Sequence, residues 1–147
     1  MSYSIVSDHS VGYWVSGLSG SGHYNPALSQ AIGLVKDGQP QAGVVFTDYN
    51  GRSMVVHQAI QGKINRNFLH EISNYAFNQC RVEKLIGPID SSNEKAIKLV
   101  QNMGFKEEAR IKDAHPKGDM ILFTLVKSDC RFLGERYGKK CTAPANA

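Results

Sequence analysis

A chain of 147 residues, 41% of them hydrophobic, can bury a sizeable core in one domain and is too apolar to be disordered throughout. No apolar run approaches the roughly 18 residues of a membrane span. The start, Met1-Ser2-Tyr3-Ser4, lacks the basic-then-apolar layout of a signal peptide, so no membrane partner and a cytoplasmic location are expected.

The net charge of +4 gathers late, where Lys127, Arg131, Arg136, Lys139 and Lys140 face only Asp129 and Glu135. This basic end reads as a solvated face, with contact to nucleic acid or another anion as the alternative. It has no interleaved aromatic and basic residues, so it is no stacking platform for single strands. Cys80, Cys130 and Cys141 are an odd count without metal-like spacing. Reduced thiols fit them, and no metal site is expected.

Residues 1–12 are weakly patterned, and Tyr13-Trp14-Val15 is expected as a short strand. Ser16–Gly22 is rich in Gly and Ser and reads as a flexible loop. It looks like a phosphate-cradling glycine loop but lacks the Gly-Lys-Ser/Thr ending and a following apolar helix. A mobile loop beside a site suits it better.

From Ala31 the pattern is β. Ile32–Val35, the turn Asp37-Gly38, Gly43–Thr47, the turn Asn50-Gly51 and Ser53–Ile60 make an antiparallel meander. His57 interrupts the third strand; a lone histidine there is more often structural than catalytic. The polar connection Gln61–Arg66 leads into a helix over Asn67–Gln79, capped by Asn65 or Asn67. Phe68, Leu69, Ile72, Ala76 and Cys80 form its apolar face. Lys63 and Arg66 ahead of a helix N-terminus make either an anion site or a solvated loop.

Leu85–Ile89 reads as a buried strand, parallel to the third strand because a helix connects them. Ser91-x-x-Glu94 has the form of a capping box. It opens a helix to Met103 with Ala96, Ile97, Leu99, Val100 and Met103 on the apolar face, and Gly104 ends it. Phe105–Ile111 is a charged strand, Ala114–Asp119 a loop and Met120–Val126 an apolar closing strand. Residues 142–147 are expected to be disordered. The fold class is α+β with a mixed sheet, in one domain over 1–133, followed by a basic tail over 134–147.

One ordered set carries a resemblance: Asn74-Tyr75-Ala76-Phe77, Arg81-Val82, Asn93–Leu99, Met103–Arg110 and Gly118-Asp119. It resembles the second half of the GNAT superfamily of N-acetyltransferases, nearest to the ribosomal-protein and aminoglycoside-type branch, over about residues 65–126. Asp129-Cys130-Arg131-Phe132-Leu133 is similar to the ending of small GNAT-like proteins of bacteriophages and prophages.

The resemblance implies a mostly antiparallel sheet with flanking helices, whose middle strands, Ser53–Ile60 and Leu85–Ile89, splay apart. Acetyl-CoA would lie in the V between them, its pantetheine arm bonding the strands as an added strand would. Its pyrophosphate would sit at the start of the following helix. The implied cofactor-binding residues are Ala59, Ile60, Gln61, Gly62, Lys63, Ile64, Asn65, Arg66 and Asn67, with Asn93 facing the arm near the thioester.

Two departures stand out. The family's Gln/Arg-x-x-Gly-x-Gly/Ala loop lets backbone N–H groups approach the phosphates; aligned from Gln61, its small positions are Ile64 and Arg66. Many members carry a tyrosine that protonates the leaving thiolate, and here Val100 stands in its place.

The implied chemistry is acetyl transfer from acetyl-CoA to an amine. A base must take the amine's proton, and N–H groups of the third strand would stabilise the oxyanion. His57 and Asp90 are the candidate catalytic residues. Glu71 is expected to be solvated, and His115 to be a surface residue or a substrate contact. The alternative is a non-enzymatic, phage-type GNAT-fold virion or host-interaction protein with a degenerate CoA site. A homodimer is expected by resemblance alone; a phage origin would place the protein in the host cytoplasm or the virion.

Overall fold

The computed structural model describes residues 3–19 and 23–134. Its elements are β1 (Tyr3–Val6), α1 (His9–Ser19), β2 (Gln30–Lys36), β3 (Gln39–Thr47), β4 (Ser53–Ile60), α2 (Arg66–Asn74), β5 (Lys84–Asp90), α3 (Glu94–Met103), β6 (Lys106–His115) and β7 (Gly118–Val126). They form one seven-stranded sheet in the order β1-β2-β3-β4-β5-β7-β6. Every pairing is antiparallel except β4 with β5. The mixed sheet and the α+β class expected from the sequence are both present.

Alternation along the strands splits the core between the two faces of the sheet. Met54 and Val56 of β4, Leu85 and Ile89 of β5, and Ile121, Phe123 and Leu125 of β7 join the main cluster with α2 and α3. Val45 and Ala59 face the other way, into a smaller cluster with Val11 and Val15 of α1 and with Tyr24. Helix α2 widens at its end into a π-helical turn, Tyr75–Gln79. There the Cys80 N–H reaches the Tyr75 carbonyl at 2.8 Å, and the Tyr75 ring packs on Phe46 at 4.9 Å. Among the described residues no helix is long and apolar enough to cross a membrane.

Four sequence expectations are corrected. Tyr13-Trp14-Val15 belongs to α1, and so do Ser16–Ser19; positions 20–22 of the expected loop lie outside the described residues. Gly12, Gly17 and β-branched valines weaken the helical signal, but tertiary packing overrides it. Gly33 and Gly43 face each other across β2 and β3, and their missing Cβ atoms make room for Val11 and Val15, which would come within 2.9 Å. Helix α3 starts at Glu94 with Asn93 as its cap, because Ser91 is drawn into the sheet: its N–H donates to Asp119 O (2.9 Å) and its Oγ accepts from Asp119 N (3.0 Å). Strand β6 runs on to His115, so Ala114 and His115 are strand rather than loop. The expected tail over 134–147, with Cys141, falls outside the described residues except for Gly134.

Candidate active site

Strands β4 and β5 begin side by side and then part. Their parallel register covers Ser53↔Lys84, Met54↔Leu85 and Val55↔Ile86 and goes no further, although β4 runs on to Ile60 and β5 to Asp90. Backbone hydrogen bonds tell which groups the parting leaves. The Gln61 N–H donates to Gln41 O at 2.8 Å, so the odd-numbered residues of β4 pair with β3. By alternation Val56, Gln58 and Ile60 turn their N–H and C=O groups to the gap. On β5 the Ser91 N–H donates to Asp119 O, and the Lys84 N–H reaches Arg52 O at 3.3 Å. Odd positions of β5 therefore pair with β7, and Ile86, Pro88 and Asp90 face β4. Proline lacks an N–H and is excluded from the interior of a fully paired sheet. Pro88 is tolerated because its edge of β5 has already lost β4.

The gap opens into a cleft of about 970 Å³. His57, Gln58, Ile60, Gln61, Pro88, Ile89 and Asp90 wall it from the strands. Gly17–Ser19 close it from α1, Ser92, Asn93, Lys95 and Ala96 from the start of α3, and His115–Lys117 with Met120 from the β6–β7 hairpin.

Its two candidate bases sit in opposite environments. His57 shares the α1 side of β4 with Ala59 and is half-buried. Burial disfavours the imidazolium and holds its pKa below the ordinary histidine value, with the Asp48 charge offsetting part of this. Asp90 is held below the usual carboxylate range. The Ser92 hydroxyl bonds Oδ1, the Ser92 N–H adds a second bond at 2.9 Å, and His115 and Lys117 add positive charge. His115 Nδ1 accepts the Lys117 N–H at 3.1 Å. The neutral ring therefore carries its proton on Nε2, 3.9 Å from Asp90 Oδ2. At pH 7 the site thus offers in His57 a neutral imidazole able to accept a proton, and in Asp90 an anion.

The acetyltransferase (GNAT) domain model matches residues 43–121. The chain belongs to the GNAT acetyltransferase family. A search of curated protein sequences gives no significant match. A chimera of the spermidine N-acetyltransferase SpeG from Vibrio cholerae and hSSAT superposes with a TM-score of 0.69 at 13% identity, over 91% of this chain and 100% of the other. The N-acetyltransferase PseH from Campylobacter jejuni, in complex with acetyl coenzyme A, gives 0.55 at 23% identity, over 69% of this chain and 70% of its own. Against a protein described as a probable acetyltransferase, at 20% identity and a TM-score of 0.59, 69% of this chain spans only 63% of that chain's length. At these identities the likenesses concern the fold.

Within this GNAT domain the residues named from the sequence scatter. His57, Asp90, Ala59, Ile60, Gln61 and Asn93 line the cleft, whereas Gly62, Lys63, Ile64, Asn65, Arg66 and Asn67 do not. Asn65 caps α2, its Oδ1 accepting the Phe68 N–H at 2.8 Å. Asn93 caps α3 in the same way, accepting the Ala96 N–H at 3.2 Å. Ile64 packs against the main core, and Val100 is buried in it, 1% exposed, so no acid stands there. Glu71 is half-buried on α2 and outside the cleft. His115 does line the cleft. Sequence reading placed Leu18 beside a site, as found, but missed Pro88, Met120 and Gln41. A proline within an otherwise buried strand was the available signal for the parting of β4 and β5.

Proposed function

We propose that this GNAT domain is an acetyl-CoA-dependent N-acetyltransferase acting on an amine acceptor. The observation that carries the reading is the unzipping of β4 from β5 beyond Val55 and Ile86, which leaves backbone groups facing a lined cleft. Val56, Gln58 and Ile60 would bond an extended pantetheine arm as a neighbouring strand would, and their N–H groups are placed to polarise a thioester carbonyl. Asn93, the cap of α3, and Lys95 in its first turn line the cleft where they would flank the arm. His57 takes the amine proton as nitrogen bonds to the acyl carbon and the carbon–sulfur bond breaks. The thiolate leaves and regains a proton from His57 or water. Asp90, already ionised and hydrogen-bonded, serves as a charged wall rather than as the base. The acceptor remains the broad class of amines; the spermidine N-acetyltransferase neighbour suggests polyamines only as a starting panel.

Titration calorimetry with acetyl-CoA tests the donor. Binding at sub-millimolar concentration is expected, and its absence sinks the reading. That result would favour the second reading, a phage-type GNAT-fold binding protein without catalysis. The observations on that side are Val100 in place of an acid and a β4–α2 turn folded onto Gln41. A dimer and contact with nucleic acid add nothing to either reading.

A further inference from the structure

Strand β3 closes the turn between β4 and α2. The N–H groups of Gln61 and Gly62 both donate to the Gln41 carbonyl, at 2.8 and 2.9 Å. The Gln41 carboxamide lies over Gly62 so closely that a Cβ there would stand 1.9 Å from Oε1. A side chain at 62 would have to push this flexible carboxamide aside. Further along, Asn65 takes the Phe68 N–H on Oδ1 (2.8 Å) and the Leu69 N–H on its carbonyl (3.3 Å). Ile64 turns into the core. A backbone nest for phosphate needs successive N–H groups turned outward to one point. Here the N–H groups of Gln61 and Gly62 before the turn and of Phe68 and Leu69 after it have protein acceptors, and the lining of the cleft stops at Gln61.

The run between the parted strands is different. From Ile60 and Gln58 past Pro88 to Asn93 it is continuous and lined on both sides. An extended chain with amide groups fits a strand edge that offers N–H and C=O in alternation. The cations near this run, Lys63, Arg66, Lys95 and Lys117, are exposed, so their attraction for phosphate is screened by water and salt.

We propose that the protein recognises its donor through the pantetheine arm and not through the nucleotide. Its ligand class is an S-acyl phosphopantetheine, carried either on CoA or on a phosphopantetheinylated carrier protein. The inference rests on the donor reading above and deepens it.

Calorimetry on the full chain with CoA, 4′-phosphopantetheine and adenosine 3′,5′-bisphosphate tests it. Phosphopantetheine is expected to bind within about tenfold of CoA, and the bisphosphate should not displace either. A working nest gives two or three charge-assisted hydrogen bonds, and losing them would weaken binding about 10²–10³-fold or more. A hundredfold or greater loss on removing the nucleotide overturns this inference and leaves the donor reading standing. No binding of either CoA or phosphopantetheine overturns both. A phosphopantetheinylated carrier protein is the third ligand. Affinity above that of free phosphopantetheine assigns the donor to the carrier, and affinity at or below it assigns the donor to CoA.

Discussion

The two walls of the cleft are built from strands that start as partners and end with different chemistry. The β4 wall presents N–H and C=O groups at Val56, Gln58 and Ile60 and carries the neutral His57. The β5 wall has Pro88 where a donor would be and ends at the ionised Asp90. One wall can hold and activate an extended amide chain; the other closes the site with an apolar ring and a charge. Catalytic strength should accordingly be lopsided, and substitutions on β4 should hurt far more than matched substitutions on β5.

The sharpest break of that asymmetry is to exchange the proline. Gln58 faces the gap and not β3, so Gln58→Pro removes a cleft donor while sparing the ladder bonds of Val45 with His57 and of Gly43 with Ala59. Loss of a preorganised donor to the developing oxyanion typically lowers kcat about 10²–10³-fold. That loss is expected here, with an unchanged circular dichroism spectrum as the check on folding. Pro88→Ala restores an N–H to the other wall and should leave the rate nearly unchanged. Equal losses from the two would show that the walls do not differ in this way.

His57→Gln comes next. Removing a general base costs about 10²-fold or more in kcat. The pH profile carries the finer test. With its pKa below the ordinary 6.5, His57 is neutral at pH 7. Wild-type kcat/KM should be flat there and fall only as pH drops through the lowered folded value. His57→Gln should lose that acid limb. The same shift acts on stability. The folded state binds the proton less readily than the unfolded chain, so this contribution is whole above the unfolded pKa and is lost as pH falls toward the folded one. A limb that survives in His57→Gln would move the role of base elsewhere.

How far the sequence reached divides along similar lines. Strands with turn dipeptides, such as Asp37-Gly38 between β2 and β3, and helices with clean apolar faces were legible because their signals are local. Ser53–Ile60 and its parallel partner were placed correctly, and Gly104 does end α3 in the left-handed region, at φ 109°. Helix α1 was not legible, since its stability comes from Val11 and Val15 docking onto the flat ground of Gly33 and Gly43, far away in sequence. The cap of α3 was misplaced because Ser91 had a better partner in Asp119, again through tertiary contact. For the site, His57 and Asp90 were named by type and position and Asn93 by resemblance, and all three line the cleft. The loop Gly62–Asn67 was assigned by position after β4, and nothing local reveals that Gln41 folds over it.

The smallest expected effect is on β5. Asp90→Asn keeps an acceptor for the Ser92 N–H and hydroxyl, so the turn into α3 should survive. An ionised carboxylate with a lowered pKa is a weak proton acceptor. The acid limb set by His57 should stay in place, and kcat should change by less than about tenfold. The change should appear in acid unfolding instead. Asp90's folded pKa lies below its unfolded value of 3.8, so its stabilisation is present above that value and is lost as pH falls through the folded one. Asp90→Asn removes that pH-dependent contribution, and its acid-unfolding curve should be shallower than the wild type's at the low-pH end. If Asp90→Asn instead erased the acid limb of kcat/KM, the β5 wall would hold the base, and the division of labour between the two strands would be reversed.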